Sequence, residues 1–481
     1  MMRSISSEPC RRERYNSLAH RVLIPEFRLL QFRYPKPKNE AALDGQPSYV
    51  TAGDEEGYYP NFPVIIQGNG EPWRIGNLYL TTKLQRESGY ESRTFRGIAD
   101  HLLNFLRFLE DVDLDYLHLP ENIRLRVTFR YHRHLIELRD LGKITTNTAS
   151  ARINAIAVFY RSIANWSLIE KEEILNPPFE TVFKKIAITS GLGFQNTINV
   201  ESHNLAIKSP QGHRHPEQIM DGGSLRPLAL NHQIAVLKAL LSSSREYQLL
   251  FYFALFTGAR MQTAATIRVR HLHGTLDGDG YLRLTVGSGT FIDTKRGTPL
   301  TLLVPGWLVR DMIIYSRSPE AVKRRNRSFY GDTDENYLFL SKNGVPFYTS
   351  KKELYDRQNP LVSRNTQLTD RASGVSMQDG GSIRQHIIEI LLPRIRKETP
   401  NFQSFSFHDL RATFGMNLLE SQLKYLDNKS ITTALDYVQQ RMGHRDKATT
   451  MQYLNYKSRL EWKSQIQNEF EQILFKYVRL T

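Results

Sequence analysis

The run Arg441-Met442-Gly443-His444-Arg445-Asp446-Lys447-Ala448-Thr449-Thr450 is followed, after two more residues, by Tyr453. Three runs lie upstream: Thr257-Gly258-Ala259-Arg260, Thr294-Lys295-Arg296-Gly297 and Phe407-His408-Asp409-Leu410-Arg411. Together they supply cationic side chains, two imidazoles and a phenol. Guanidinium groups grip phosphate oxygens, a phenol oxygen can attack phosphorus, and an ammonium group can protonate the leaving oxygen. The four runs therefore indicate chemistry at a phosphodiester that needs no metal ion.

The pair His408 and Arg411 is predicted to lie in the first turn of a helix. Their spacing places both on one helical face. Ser406 and Asp409 form a capping-box pattern, and the backbone N–H groups of a helix N-terminus attract anions such as phosphate. Ordinary surface polarity also explains such a pair when it is taken alone.

Arg260 and Lys295 are the other two candidate cations. Arg260 follows an apolar helix for which Gly258 is a natural C-terminal cap, and a guanidinium fixed there is ready to fork onto phosphate oxygens. A simple ion pair with a carboxylate would also explain it. Lys295 is predicted at the tip of a hairpin, between strands at 281–286 and 299–304, where Arg296 competes with it as a proton donor.

His444 and Tyr453 complete the candidate set. A tyrosine hydroxyl is a poor nucleophile at neutral pH, because its ordinary pKa is about 10. It therefore needs neighbouring cations and a proton acceptor, which the arginines and histidines of the other runs would provide. Tyr456, one helical turn further on, is a rival nucleophile, and packing in a core is the simpler role for either tyrosine.

Composition restricts the class of protein. The 481 residues include 64 Lys and Arg against 49 Asp and Glu, a formal net charge of +15. This excess suits a nucleic acid, whose phosphates release counterions to basic side chains, although charge alone fits any basic protein. Cys10 is the only cysteine, which excludes an internal disulfide and a cysteine-bound zinc ion. With no signal peptide or membrane-length apolar run, we expect a cytoplasmic protein without membrane contact, cofactor or metal.

The first part of the chain is predicted to hold two regions. Residues 1–88 are partly strand-like, with a hairpin expected where 64–66 and 77–80 flank a Gly-Asn-Gly turn. An accessory DNA-binding role and simple packing both remain open for this region. Residues 89–190 show helical spacing, and Arg152 and Arg161 leave the apolar stripe, where they are candidates for DNA contact or ordinary solvated residues.

The second part carries the four runs. Residues 191–226, rich in proline and glycine, are predicted as a linker; the histidines at 203, 213 and 215 suggest a metal site there, but nothing completes it. Residues 227–460 form the region with the candidate chemistry, including a predicted surface insertion at 359–381. Residues 461–481 are predicted as a C-terminal helix. The whole pattern predicts a mainly α fold with a small antiparallel β-sheet, of the α+β class.

In their order and spacing, the four runs resemble the motifs of the tyrosine recombinases, the phage-integrase family of site-specific recombinases. The resemblance covers residues 225–460 closely and 89–190 more loosely, and does not reach 1–88. It implies a helical core-binding domain and a catalytic domain that form a C-shaped clamp on DNA. It further implies that the C-terminal helix docks on a neighbouring protomer.

The resemblance also implies roles for the individual residues. Tyr453 would attack the scissile phosphate and leave a 3′-phosphotyrosyl link, while Arg260 and Arg411 would clamp the non-bridging oxygens. Lys295 would protonate the 5′ oxygen. His408 would assist proton transfer from the tyrosine and His444 would bind the phosphate. These six would be the catalytic residues, with Arg152, Arg161 and Arg296 as DNA-binding residues.

The implied partners are double-stranded DNA carrying specific recombination sites and three further copies of the chain, a tetramer on DNA. An accessory DNA-bending or directionality factor is also implied, as is integration or excision of a mobile element in a prokaryotic nucleoid. One departure concerns the position three residues after Arg260, which is usually acidic in the family and here is Thr263. The alternatives are a non-catalytic DNA-binding regulator derived from an integrase, a type IB topoisomerase-like enzyme and a metal-dependent nuclease, the last of which would need clustered carboxylates.

Overall fold

Helices account for most of the structure and form where apolar side chains recur every three or four residues. The computed structural model describes residues 15–33, 48–51, 58–87, 89–189, 195–207, 218–358, 377–424 and 431–459. The sheets found there are two-stranded and antiparallel, which confirms the predicted α+β class. Within these ranges no helix has the length and apolar character needed to cross a membrane. The chain divides into two compact units, Met1–Gly212 and His213–Thr481.

The first unit is built on four helices with a shared core. They are Arg74–Arg86, Ser92–Asp111, Val127–Asp140 and Thr146–Asn165, with single 3-10 turns at Ile123–Leu125 and Lys171–Glu173. Phe95, Leu102 and Ile153 are fully buried between the helices. The helical spacing predicted for much of 89–190 is therefore confirmed.

The described residues of the region 1–88 share that core. Strand His20–Phe27 pairs with Tyr59–Ile66, and Leu30–Arg33 pairs with Ser48–Thr51, both antiparallel. Phe62 and Ile65, in strand Tyr59–Ile66, pack in the same apolar cluster as the buried side chains of the helices. The predicted boundary near residue 88 thus does not coincide with a break in the core.

Two local predictions in this unit were wrong. Residues 77–80 belong to helix Arg74–Arg86 and not to a hairpin strand, because Gly76, Leu80 and Leu84 recur every four residues and all three are buried. Part of the predicted linker is also regular, since strand Gln195–His203 pairs with Thr181–Thr189. These segments are rich in β-branched residues, which favour a strand over a loop.

The second unit begins with a short hairpin and continues with helices around one small sheet. The hairpin strands are Ile219–Met220 and Ser224–Leu225, and the sheet pairs Tyr281–Val286 with Leu300–Pro305. The helices are Leu230–Leu240, Arg245–Thr257, Met261–Ala265, Gly306–Ser316, Pro319–Arg325, Lys351–Gln358, Gly381–His386, Leu392–Glu398, Phe407–Lys424 and Ile431–Met442, with helical residues also at 447–459. Short 3-10 turns occur at Val269–Leu272 and Lys295–Gly297, and a π turn at Ile387–Leu391.

Helix Phe407–Lys424 is central to this unit. It packs against helix Arg245–Thr257 on one side and helix Ile431–Met442 on another. Its residues contribute to two apolar clusters, one around Leu410 and one around Phe414 and Leu419. The helix predicted at 461–481 falls outside the described residues, as do positions 359–376 of the predicted insertion.

Candidate active site

Helix Phe407–Lys424 begins where the capping pattern predicted. The Asp409 carboxylate accepts hydrogen bonds from the backbone N–H and the hydroxyl of Ser406, at 2.7 and 3.0 Å. Its second oxygen accepts from the backbone N–H of Arg226 at 2.7 Å. Asp409 therefore fixes both the start of the helix and the chain that follows the short hairpin, which places the next helical turn accurately.

Arg411, one turn after the helix begins at Phe407, contacts two other sequence runs and so connects three of the four. Its buried guanidinium donates to the carbonyl oxygens of Gly258 at 2.8 Å and Met442 at 2.7 Å. Both carbonyls lie at helix ends, where backbone acceptors lack a partner within the helix. The remaining Nε–H donates to Asp221 at 2.8 Å. The guanidinium of Arg411 thus connects the C-terminal ends of two helices and also donates to the Asp221 carboxylate.

Arg260 lies beside the same carboxylate. Gly258, in the left-handed conformation with a φ of 71°, ends helix Arg245–Thr257, and a Cβ there would lie 2.5 Å from the ring of Phe414. The chain then turns so that Arg260 Nη2 lies 3.3 Å from Asp221. Arg260 Nε is buried and has no hydrogen-bond partner in the described structure. Arg260 therefore keeps donor capacity directed into the site.

Asp221 is the centre of the arrangement, although it belongs to none of the four sequence runs. One carboxylate oxygen accepts from Arg411, from His444 Nε2 at 3.1 Å and from the hydroxyl of Tyr453 at 3.2 Å, while the other faces Arg260. Burial alone would raise the pKa of this carboxyl group. The hydrogen bond from His444 and the charges of both arginines outweigh burial and hold that pKa well below its usual range. Asp221 is therefore an anion ringed by four candidate residues.

Tyr453 is fully buried in the helix at 447–459. Its ring lies against helix Phe407–Lys424 at Gly415, where a Cβ would approach Cε1 to 2.6 Å. Burial, and then the negative charge of Asp221, raise the pKa of the phenol well above its usual value, although the two arginines oppose them. Tyr456 is buried in the same apolar cluster, but the hydroxyl that faces Asp221 is that of Tyr453.

His444 is held in place from its other side. Its Nδ1 lies 3.0 Å from the hydroxyl of Thr450, and its ring centroid lies 5.8 Å from that of Tyr453. With Nδ1 bonded to Thr450, Nε2 points at Asp221, so the imidazole is oriented as a donor to the anion.

His408 and Lys295 reach the site from two further elements. Nε2 of His408 is buried without a hydrogen-bond partner in the described structure. Burial and the charges of Arg260 and Arg411 lower the pKa of this imidazole, which favours its neutral form. Lys295 is exposed in the turn between the strands of the small sheet, as predicted. A Cβ added at Gly222 would lie 3.5 Å from Lys295 Nζ and 4.0 Å from His408 Nε2.

The six predicted catalytic residues therefore lie around one short hairpin. No family model and no curated protein matches the sequence. Among solved structures, a lambda integrase tetramer bound to a Holliday junction is 15% identical, with a TM-score of 0.37, over 78% of this chain and 77% of that chain. A fragment of the Tn1549 transposon integrase in complex with transposon right-end DNA is 13% identical, with a TM-score of 0.40, over 81% and 98% of the two chains.

One departure from the tyrosine-recombinase pattern gains a structural context. Thr263, at the position that is usually acidic in that family, is buried in the short helix Met261–Ala265. The carboxylate that contacts Arg260 comes instead from Asp221, 39 residues earlier in the chain. A signal that could have pointed to it is the sequence Asp221-Gly222-Gly223, a typical hairpin turn inside the predicted linker.

The predicted DNA-binding arginines occupy other places. In the first unit, Arg161 donates to the Ser202 carbonyl at 2.8 Å and pairs with Glu201 at 3.2 Å, so it braces the hairpin that ends at His203. Arg152 lies on the same helix and is partly exposed. Arg296 is exposed next to Lys295, with a φ of 60°. DNA contact by these three residues stays a prediction.

The histidine cluster suggested by the linker sequence is only partly described. His203 Nε2 lies 2.8 Å from the side-chain oxygen of Asn154, and the His203 ring packs against Phe179. Positions 213 and 215 lie outside the described residues. Within the described part of the chain, no three His, Cys, Asp or Glu side chains come together in a way that could hold a metal ion.

The contact between Tyr453 and Gly415 leads to a stability prediction. We expect Gly415→Ala to lower the local free energy of unfolding by about 1–3 kcal/mol, because the added methyl group overlaps the Tyr453 ring and comes within 3.1 Å of Met442. Gly97→Ala is the matched control, since Gly97 also lies within a helix and a methyl group there meets nothing within 4 Å. Hydrogen exchange measured by mass spectrometry should show faster exchange in helix Phe407–Lys424 only for the first variant. Equal protection in both variants would show that the ring does not pack at Gly415.

Proposed function

We propose that this protein is a DNA strand-transfer enzyme that cuts and rejoins DNA through a covalent phosphotyrosine, as a site-specific tyrosine recombinase does. The observation that carries the proposal is the convergence of Arg260, Arg411, His444 and Tyr453 on a single anion. Buried donors with fixed geometry suit the charge that develops on a phosphate in the transition state. Among these donors is a phenol, which is the nucleophile that the reaction requires.

The proposed cleavage step assigns one task to each residue. The Tyr453 oxygen attacks phosphorus, a new O–P bond forms, and the bond to the 5′ oxygen breaks. Arg260 and Arg411 stabilise the non-bridging oxygens, and Lys295 supplies the proton to the leaving oxygen. Neutral His408, whose pKa is lowered, can accept the phenol proton.

The rejoining step reverses this chemistry. A 5′-hydroxyl from the partner duplex attacks the phosphotyrosine and gives its proton to Lys295, and the tyrosine leaves with the proton held by His408. Since one phosphodiester replaces another, the bond energy is conserved, and ATP is not consumed. His444, which points at the anion, hydrogen-bonds the phosphate in both steps.

The biological setting extends the proposal. A tetramer on two specific DNA sites would carry out integration or excision of a mobile element in the prokaryotic cytoplasm, with an accessory bending or directionality factor. Residues 89–190 and Arg152, Arg161 and Arg296 would contact the DNA, and residues 461–481 would dock on a neighbouring protomer. The formal charge of +15 supports a polyanionic partner.

A covalent trapping experiment with random DNA tests the function for any target sequence. A library of nicked suicide duplexes with random sequence is incubated with the protein in EDTA, and DNA that stays attached in denaturing detergent is sequenced. We expect adducts enriched in one sequence, with a blocked 3′ end and a 5′-hydroxyl that polynucleotide kinase can label. Cleavage that stops in EDTA would favour a metal-dependent nuclease, and sequence-specific binding without any adduct would favour a DNA-binding regulator.

A further inference from the structure

The hairpin that carries Asp221 is anchored over the site. Its strand residues Ile219 and Leu225 are buried in the same apolar cluster as Tyr453. The backbone N–H of Met220 donates to the Gln452 side chain at 2.8 Å, next to the nucleophile in the chain. The tip of the hairpin is therefore held against the candidate active site from both sides.

The carboxylate at that tip takes the contacts that a phosphate needs. Two arginines, an imidazole and a phenol donate to or face its two oxygens. These are the groups assigned above to the non-bridging oxygens and to the attack on phosphorus. A carboxylate and a phosphate both accept such forked, charge-assisted hydrogen bonds.

We propose that the Asp221 carboxylate occupies the place of the scissile phosphate in the DNA-free protein, so that the 219–225 hairpin blocks the active site until its tip moves away. This inference rests on the proposed function, because it names the phosphodiester of DNA as the ligand of the same site.

Donors left over around the carboxylate support a larger anion. Arg260 Nε, which can only donate, is buried without a partner in the described structure. Lys295 Nζ and His408 Nε2 both lie beside the backbone of Gly222. A carboxylate has two oxygens, whereas a phosphodiester has four around phosphorus. The two additional oxygens would satisfy donors that Asp221 leaves without an acceptor.

The two anions exclude each other. Asp221 and a phosphate would compete for the same hydrogen bonds and repel each other in a buried setting. Asp221 also keeps the nucleophile in its unreactive form, since the Tyr453 hydroxyl donates to it. Gly222, with a φ of 72°, gives the tip a backbone conformation that is accessible mainly to glycine. Movement of the hairpin tip would therefore free the Tyr453 hydroxyl and vacate the phosphate-binding position at the same time.

The first test uses inorganic sulfate and needs no DNA. We expect Asp221→Ala to unfold at a lower temperature than wild type, because buried cations lose their counter-ion. Millimolar sulfate should restore the unfolding midpoint of Asp221→Ala. We expect this variant to bind sulfate with a dissociation constant at least about tenfold below that of wild type, because Asp221 occupies the anion site in most wild-type molecules. Asp311→Asn is the control: it removes one partly exposed carboxylate, which pairs with Arg245, and should respond to sulfate as wild type does.

The second test measures single-turnover cleavage of a trapped duplex. We expect Asp221→Ala and Asp221→Asn to cleave at least about tenfold faster than wild type at limiting DNA, because a larger fraction of molecules is open. Slower cleavage by both variants in the folded state would overturn the inference and make Asp221 a positioning residue. Failure of sulfate to restore Asp221→Ala would overturn it as well. If sulfate rescue occurs but no protein forms an adduct, the proposed function fails and the anion site stands.

Discussion

Tyr453→Phe is expected to abolish the covalent DNA adduct, with a fall in cleavage rate of at least about 10⁴-fold, the order of loss seen when a catalytic nucleophile is removed. The substitution deletes the oxygen that would attack phosphorus and leaves the ring in its buried place against Gly415. Among the described residues, the hydroxyl makes one hydrogen bond, to Asp221 at 3.2 Å, and this bond is lost with it. The stability cost should therefore stay near about 1 kcal/mol. Gel separation of the adduct in denaturing detergent measures the first effect, and thermal unfolding measures the second.

Tyr456→Phe is the matched control for that experiment. Tyr456 lies one helical turn later, is buried in the same apolar cluster and loses the same atom on substitution. We expect it to form the adduct at close to the wild-type rate. An adduct that persists in Tyr453→Phe and disappears in Tyr456→Phe would move the nucleophile to Tyr456. Persistence in both variants would refute attack by either tyrosine.

The sequence was most informative where local rules determine structure. Gly258 had to follow the apolar helix as its cap, and Ser406 with Asp409 had to start the next one, so the positions of Arg260 and Arg411 near helix ends were predictable. The turn that carries Lys295 followed from the strand pattern on either side. The order and spacing of the four runs then resembled the tyrosine recombinases, a resemblance that no single run would have shown.

What was not predictable depends on contacts between distant segments. Asp221 precedes Arg411 by 190 residues and Tyr453 by 232, and no periodicity relates such positions. The same limit applies in the first unit, where Tyr79 sits in a short helix because a core formed with Phe159 covers it. The Gly-Asn-Gly turn itself forms, with the Gly70 N–H donating to the Gln67 carbonyl at 3.0 Å and Ile66 bridging to Pro72, but the chain then continues as helix Arg74–Arg86 and not as a strand.

Arg411→Lys should show how much of the chemistry depends on a guanidinium. The lysine keeps the charge, but a single ammonium group cannot reach the carbonyls of Gly258 and Met442 and the Asp221 carboxylate with the same planar fork. We expect a cleavage rate about 10²–10³-fold lower, the cost of removing one donor to a developing oxyanion. Because buried carbonyl oxygens would lose their donor, the free energy of unfolding should also fall, by about 1–3 kcal/mol.

Arg268→Lys separates these two effects. Arg268 is another fully buried arginine of the same unit, and it donates to the Glu335 carbonyl, to Tyr330 and to Ser350, none of which belongs to the site. We expect it to lose stability in the same way as Arg411→Lys but to cleave at the wild-type rate once both variants are measured below their unfolding temperatures. An equal loss of cleavage in both variants would mean that Arg411 acts only by holding helix ends together. A loss confined to Arg411→Lys would mean that the same guanidinium which ties Gly258 to Met442 also binds the phosphate.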